Sequence, residues 1–554
     1  MKASQRRFPL QSAIVIAIIL DFMAAAVLGY RGFQIHAAVT HTNFSVSDTL
    51  YLTMQLFTSA SGNVTPMNWA LQIARFIAPI VPAGTLLWVI SFALREHYHR
   101  FKLRRMKNHV VICGLGRNGP QLVREFLLEK KEVVAIEVNP QNEHIRECFE
   151  MKANIVIGDA SNEEVLHRAH ATHASHLIAV AGDDGVNAKI AGQLLHILGP
   201  TNTRRGPTCH FHIVNYHLYG LLKDHNLAQT STNALNYALF NIYQNSARLL
   251  FQKYSLADPQ RLSAANYTPH LIIVGLGDMG EAVLVQAAKI AHYAPNKGIQ
   301  ITIVDKSAST LVNQVQHRSA GLIKICQITP IDADITNHDK QIEISKLASD
   351  IDSPAVIAFC FGNDYLNVTS ALEMSKHIAS KEVTLLVRID RHAGYGTLIE
   401  RMNSSGPSKG CTIHPFGWIE STSTRGTLLE ESLDTIARKL YESDQHNSPW
   451  VHTPEQTKDI YRQRADHIYV QMMMLNRRII TKESNGDSCN NFTNDQIEMM
   501  AGAECRRRVA ESDFVPQASG GSQSNSTLTI TEEDKAVVLN IPKILAAAGQ
   551  RILR

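Results

Sequence analysis

Apolar and polar positions change rhythm once along this chain, and that change divides it. From Leu10 to Tyr30 the residues are nearly all apolar, interrupted only by Gln11, Ser12 and Asp21. That is about the ~20-residue length a helix needs to cross a bilayer. Trp69 to Leu94 is a second such run, with Arg75 near its start and Pro79, Pro82 and Gly84 in its middle, where a kink or break is expected. From Asn108 onward, short apolar runs alternate with helical patterns. His109 to Cys113 predicts a buried strand, Leu122, Val123, Phe126 and Leu127 fall on one helix face, and Val133 to Ile136 predicts the next strand.

The connector between the two apolar runs, Arg31 to Asn68, is also patterned. The run Ser45-Val-Ser-Asp48 supplies capping residues for a helix whose Leu50, Met54 and Phe57 share a face, and Thr58, Ser59, Ala60, Ser61, Gly62 and Asn63 follow as a small polar loop. Two spans separated by a short re-entrant helix and such a loop are the organisation of a pore, because irregular backbone at membrane depth is tolerated where it lines a water-filled cavity. The potassium filter sequence TVGYG is absent. An outward amphipathic helix with a surface loop is the alternative. Arg75, charged within an apolar run, is a candidate for function or for snorkelling to the interface.

Charge sets the orientation. Lys2, Arg6 and Arg7 precede the first run, and Arg95, Arg100, Lys102, Arg104, Arg105 and Lys107 follow the second, whereas the connector carries Arg31 alone. Basic residues stay on the cytoplasmic side, so both termini are expected in the cytoplasm of a cell whose inner (plasma) membrane holds the spans. A cleaved signal peptide ending near Ala24-Ala25-Ala26 fits less well, because the basic cluster after the second span would stop transfer.

The stretch after the spans carries the chemistry. Gly114, Gly116 and Gly119, with Arg117 and Asn118 between them, turn the chain from the first strand into a helix, and Glu137 ends the next strand. Glycines are needed where backbone N–H groups must approach a pyrophosphate at a helix N-terminus, and an acid about 20 residues on suits ribose hydroxyls. Asp159, in the Gly158-Asp-Ala turn after a third strand, is placed to face an adenine or ribose. Asp183, Asp184 and Asn187 follow a fourth strand, and a helix N-cap is the expected role for at least one of them. The pattern then repeats: Gly275, Gly277 and Gly280 follow a strand, Asp305 ends the next, Ile331-Asp-Ala-Asp334 stands where the GDA turn stood, and Phe361-Gly-Asn-Asp-Tyr-Leu-Asn367 parallels AGDDGVN. Leu218 to Tyr254 reads as a polar helical link between the copies.

Two spans, a pore-like loop, a basic linker and tandem GLGxxG units resemble an ion channel subunit with RCK domains, also called TrkA-N domains. The resemblance implies a homotetrameric pore over a cytoplasmic ring of such domains, gated by NAD(H) or an adenine nucleotide (ATP or ADP) as regulatory ligand, with a potassium or other monovalent cation as the permeant ion. It places phosphates and ribose at Gly114, Gly116, Gly119 and Glu137 with Asp159 near the base, and at Gly275, Gly277, Gly280 and Asp305 in the second copy. Further on, Pro449-Trp-Val, the stretch Tyr461 to Tyr469 with Arg464, Asp466 and His467, then Glu498 and Glu504-Cys-Arg-Arg-Arg508 resemble the RyR domain, a small helical module. The charge runs there predict a solvated helix face. The expected architecture is membrane α-helical over 1–107, two tandem Rossmann-like doubly wound α/β domains over 108–255 and 256–440, an RyR-like helical domain over 441–515, and a linker and tail over 516–554. Ala518 to Ser526 reads as the flexible part of that linker, and Val538 to Leu553 as a docking helix.

Composition removes several alternatives. At 554 residues the chain holds three or four domains at roughly 150 each. The net charge of +4, without a basic patch interleaved with aromatics, argues against nucleic acid as a partner. Eight scattered cysteines without CxxC spacing read as buried free thiols, with no structural zinc. His167, His170, His173 and His176 cluster without the spacing of a ligand set, and no metal is expected there. No HExxH occurs and no catalytic constellation stands out, so an enzyme is not expected. An NAD-dependent oxidoreductase would need a substrate domain where this chain offers a second nucleotide unit. A non-conducting, membrane-anchored nucleotide sensor remains as the rival to a channel, and Asp48 to Asn63 is the stretch that separates the two.

Overall fold

A computed structural model describes residues 7–60, 65–87, 89–90, 103, 105–198, 206–215, 218–219, 236–264, 266–293, 298–319, 321–350, 352–378, 380, 382–404, 411–422, 424–428, 432–446, 448–450, 453–481, 489–514 and 529–553. The chain forms two units, Met1–Met106 and Lys107–Arg554.

In the first unit α1 (Arg7–Thr40) is one helix of 34 residues, α2 (Val46–Phe57) is a short helix, and α3 (Trp69–Ile77) opens a second apolar stretch. Two stretches are long and apolar enough to cross a membrane, Ile16–Thr40 and Trp69–Leu87. The first helix therefore runs ten residues past the expected end at Tyr30. Nothing between Arg31 and Thr40 breaks it, since Gly32 alone costs a helix only about 1 kcal/mol. The expected break in the second stretch falls at Pro79, where α3 stops and helical backbone resumes over 80–87. Residues 91–102 and 104, with most of the basic cluster, lie outside the described residues.

Glycine notches on α1 set this packing. A Cβ on Gly29 would lie 2.8 Å from Leu56 Cδ1 of α2, and one on Gly32 would lie 2.8 Å from the backbone nitrogen of Leu71 in α3. Phe33, Leu56, Leu71 and Ala74 fill the resulting core, and Asn68 caps α3 while donating to Gly32 O at 2.7 Å. Ile16, Ile19, Leu20, Met23 and Val27 on α1, with Trp69, Phe76 and Ile80, stay exposed, as a lipid- or partner-facing surface would. Ser45 and Asp48 form a full capping box at the start of α2, which places the predicted helix start one residue after Ser45.

The second unit contains two parallel six-stranded sheets of the same topology. In the first, β1 (Val110–Cys113), β2 (Val133–Glu137), β3 (Asn154–Ile157), β4 (His176–Ala179), β5 (Thr208–His212) and β6 (Asn236–Phe240) lie in the order β3-β2-β1-β4-β5-β6. In the second, β7 (His270–Val274), β8 (Gln300–Asp305), β9 (Gln327–Asp332), β10 (Ala355–Phe359), β11 (Thr384–Arg388) and β12 (Thr412–Phe416) lie in the order β12-β11-β10-β7-β8-β9. Both are doubly wound, with the strand order reversing between β1 and β4 and between β7 and β10. Strands buried on both faces explain the continuous apolar runs: β1, β2, β7 and β10 are buried at every position.

The link between the copies differs from its expected form. Leu218 to Tyr254 is not all helical, because Asn236–Phe240 adds the edge strand β6 beside β5 before the helix Ile242–Lys253 begins at Asn241. The apolar Ala238, Leu239 and Phe240 extend a sheet that a helical reading of so short a run could not distinguish. That helix then packs in the second copy's core through Ala247, Leu250 and Phe251.

The C-terminal region is helical. Helices Thr435–Ser443, Glu455–Met474, Asn494–Phe514 and Glu532–Ala547, with β13 (Arg478–Thr481) paired antiparallel to β14 (Gln550–Leu553), share a core built on Tyr441, Tyr461, Ile468, Met472, Met500, Val538 and Leu545. The segment expected as linker and tail thus contributes Glu532–Ala547 and β14 to this core, while Ala518 to Ser526 lies outside the described residues. The charge run expected to be solvated is buried instead. Arg248 Nε meets Asp466 Oδ2 at 2.8 Å and its Nη1 meets Asp434 Oδ1 at 3.0 Å, and Arg462 Nε reaches Asp434 Oδ2 at 2.8 Å. His467 Nδ1 lies 3.2 Å from Glu504 Oε2 and its Nε2 lies 3.1 Å from the carbonyl of His292, and Arg507 closes on Glu504 Oε1 at 2.8 Å. Sequence patterning sees charge but not the partner that lets it be buried.

Candidate nucleotide site

The first glycine turn is built as its spacing requires. Gly114 sits at φ +101°, a backbone state that L side chains rarely adopt. A Cβ on Gly119 would lie 2.1 Å from the carbonyl oxygen of Gly114, so the turn closes only with glycine there. A Cβ on Gly116 meets nothing within 4 Å, which leaves this backbone open to an approaching group at the N-terminus of the helix Gly119–Leu128. Asn118 occupies the N-cap without a side-chain cap bond.

Glu137 is buried at the end of β2 and accepts from Leu115 N at 2.8 Å through Oε2 and from Asn139 N at 2.9 Å through Oε1. Asp305 repeats this with Leu276 N at 3.0 Å and Ser307 N at 3.2 Å. Each carboxylate therefore ties the glycine turn to the next loop. A carboxylate has about four lone-pair sites, so room for a ribose hydroxyl remains. Asp159 is exposed at the end of β3, and its carboxylate accepts from Ser161 N at 2.8 Å. Bonds to Ser161 hold its pKa below the ordinary value.

The residues after the fourth strand of each sheet have separate duties. Asp183 caps its helix by accepting from Val186 N at 2.9 Å, the role expected for one of the three. Asp184 accepts from Val214 N and Asn215 N, as Asp364 accepts from Asp390 N through both oxygens. Asn187 is fully buried and joins the ends of β4 and β5, with Nδ2 donating to Ala181 O and His212 O, and Asn367 does the same between Phe361 O and Arg388 O.

Sequence reasoning did not reveal how the copies face one another. Arg117 Nε lies 3.3 Å from Asp390 Oδ2, so the first glycine turn touches the loop after β11 of the second sheet. Arg117 and Asn118, His212, Tyr243 and Ser246, Met279 of the second turn, Arg388 and Asp390 line a narrow cleft of about 20 Å³ at this junction. It lies at the carboxyl ends of strands in both sheets, where ligands of open α/β sheets bind. The Arg388 guanidinium stands over the Tyr243 ring, 5.3 Å from its centroid. Burial raises the Asp278 carboxyl, opposed by Arg388 and reinforced by Asp184, and Asp364 is also raised by burial.

The remaining candidates divide. Thr58, Ser59 and Ala60 are exposed after α2, with Ser59 at φ +57° and the N–H groups of Thr58 and Ser59 returning to the helix carbonyls. Ser61, Gly62 and Asn63 lie outside the described residues. Arg75 is exposed, with Nη1 3.9 Å from Met67 Sδ. His170 and His173 stack at 4.0 Å, while His167 pairs with Glu163 and His176 lies beside His210. Among the described residues no three His, Cys, Asp or Glu side chains are grouped to hold a metal.

Comparison with known proteins finds the TrkA-N domain family over residues 110–203. An uncharacterized protein of Methanothermus fervidus is 27% identical over 164 residues, 27% of this chain and 26% of that protein. Potassium channel protein 1 of Methanocaldococcus jannaschii is 27% identical over 143 residues, 23% of this chain and 42% of that protein. The matches thus span less than half the length of these relatives. The structure of GsuK bound to ADP covers 77% of this chain and 98% of its own at 14% identity, with a TM-score of 0.41. Residues 110–203 thus match the TrkA-N domain family, and part of the chain is similar to two potassium channel proteins of Methanocaldococcus jannaschii.

Proposed function

We propose that this chain is the subunit of a homotetrameric cation channel of the inner (plasma) membrane, passing potassium or another monovalent cation, with both termini cytoplasmic and with opening controlled by NAD(H) or an adenine nucleotide. The observation that carries the reading is the first glycine turn, whose backbone at Gly116 is open on the ligand side within the same chain as two apolar helices and a capped half-length helix. In this reading the backbone of Gly114 to Gly119 and the Arg117 side chain hold phosphates, Glu137 takes ribose hydroxyls and Asp159 lies near the base. The cleft between copies supplies the control, since a ligand shifts an equilibrium only by binding one conformation better than another. The C-terminal helices are an RyR-like module whose motif residues Asp466, His467 and Glu504 brace the second copy. An oxidoreductase is disfavoured because a second nucleotide-type unit occupies the place of a substrate domain.

The test is ion flux in proteoliposomes of the full-length protein under potassium, sodium and calcium gradients, with and without NAD, NADH, ATP and ADP. One nucleotide should change the flux, and Gly116→Asp should remove its effect by placing a charged side chain against the pyrophosphate. Nucleotide binding with no flux of any ion would replace the channel with a membrane-anchored sensor. Undiminished nucleotide affinity in Gly116→Asp would remove this turn from the site.

A further inference from the structure

The two copies share a topology but not the chemistry of their glycine turns, and we infer that only the first binds nucleotide while the second is a closed copy. This rests on the nucleotide-regulated reading above and decides which of its two candidate sites is used.

Three substitutions between equivalent positions point the same way. Arg117 in Gly-Leu-Gly-Arg-Asn-Gly is replaced by Asp278 in Gly-Leu-Gly-Asp-Met-Gly. A pyrophosphate at the first turn meets a guanidinium, whereas at the second it meets an exposed carboxylate at the first residue of the helix Asp278–Ile290. That carboxylate puts a negative charge in the first turn of the helix, where it repels a second anion.

The second change is steric. Ala181, after β4, stands with its backbone 3.0 Å from where a Cβ of Gly114 would be. Its counterpart after β10 is Phe361, whose ring carbons Cδ1 and Cε1 come within 2.8 and 2.9 Å of the corresponding point at Gly275. The ring therefore stands against Gly275 at the β7–β10 reversal, the crevice that a dinucleotide must cross, while Gly277, like Gly116, faces open space. Asn367 holds the Phe361 backbone through two hydrogen bonds and reaches the end of β11 through a third, as Asn187 does for Ala181 in the first copy.

The third change is in charge. Glu137 is paired in register with Ile157, but Asp305 is paired with Asp332. Asp332 binds Ser309 through both oxygens, and Asp334 nearby pairs with Lys306 at 3.0 Å. The ribose side of the second copy thus carries two further carboxylates, where the first has Ile157 and Asp159. Like charges close to a phosphate ester weaken its binding.

The experiment is calorimetric titration of the full-length protein in detergent with ADP, ATP, NAD and NADH. Wild type should bind one nucleotide per chain. Gly116→Asp should abolish binding, and Gly277→Asp, where a side chain meets open space, should retain wild-type stoichiometry and affinity. The double variant Asp278→Arg/Phe361→Ala should raise the count towards two. Two sites per chain in wild type, or loss of binding in Gly277→Asp with retention in Gly116→Asp, overturns the inference and leaves the regulated-channel reading standing. Wild type that binds none of the four nucleotides overturns both. Thermal unfolding of each variant separates a lost site from a lost fold.

Discussion

Arg117 and Asp390 join the two copies: the guanidinium from the first glycine turn reaches the carboxylate after β11 at 3.3 Å, half-exposed on the arginine side. Asp390 in turn holds its backbone N–H on Asp364. A phosphate at the first turn would compete with Asp390 for Arg117, so ligand binding and the junction between copies draw on the same side chain.

Asp390→Asn should therefore strengthen nucleotide binding several-fold while changing stability little, because a partly exposed ion pair contributes only about 0–1 kcal/mol. Calorimetric titration of the variant against wild type checks this. Weaker binding would mean that Asp390 positions Arg117 for the ligand instead of competing for it.

Gly116 and Gly119 should respond in opposite ways to alanine. Gly119→Ala puts a methyl 2.1 Å from Gly114 O, and overpacking of that kind costs about 1–3 kcal/mol or more. Gly116→Ala meets open space and should leave the melting temperature of the unit Lys107–Arg554 unchanged while weakening nucleotide binding. Equal destabilisation by both would show that the Gly116 face is packed rather than open.

Removing one member of the buried Arg248–Asp434–Asp466–Arg462 network should destabilise strongly. Arg248→Met leaves two buried carboxylates short of a partner, a loss of about 3–5 kcal/mol by analogy with other broken buried pairs. Denaturant unfolding would register it as a lower midpoint with an unchanged slope. A shift below about 1 kcal/mol would place the network in a more hydrated setting.

Acid should weaken the paired domains. His210 is buried in β5 with both ring nitrogens unbonded, and burial pushes its pKa down to about 3, while burial takes His212 and His270 to about 4. Each stays neutral in the fold and takes up a proton near 6.5 when unfolded. Their contribution is thus complete above pH 6.5 and is lost as pH falls through 6.5 towards 4 and below. Melting temperature followed from pH 7.5 to 4.5 should fall, and His210→Leu should flatten the decline. An unaltered slope in that variant would assign the acid sensitivity to other groups.

Gly32→Leu should separate α1 from α3, because even its Cβ would lie 2.8 Å from Leu71 N. Flux should be lost, and the unfolding transition of the unit Lys107–Arg554 should stay where it is. Normal flux in this variant would remove the α1–α3 contact from the conducting unit.

The parts of this protein that depend on neighbours along the chain could be read from its residues. Strand, glycine turn, helix and acid follow one another within a short stretch of each copy, and the apolar runs of parallel strands, the capping box at Ser45 and Asp48, and the presence of two long apolar stretches are all local patterns. What the sequence could not determine is set by contacts between residues far apart. β6 looked like part of a helical link because only β5 beside it makes it a strand. The charges of Arg462, Asp466 and Glu504 looked solvated because their partners Asp434, Arg248 and His467 are identified only when the helices meet, and burial of an ion depends on having those partners. Arg117 and Asp390 are brought together from different copies, and no periodicity encodes that encounter. Asp278 and Phe361 stood in plain view within the repeat, yet only the tertiary structure set the Phe361 ring against Gly275 at the crevice between β7 and β10.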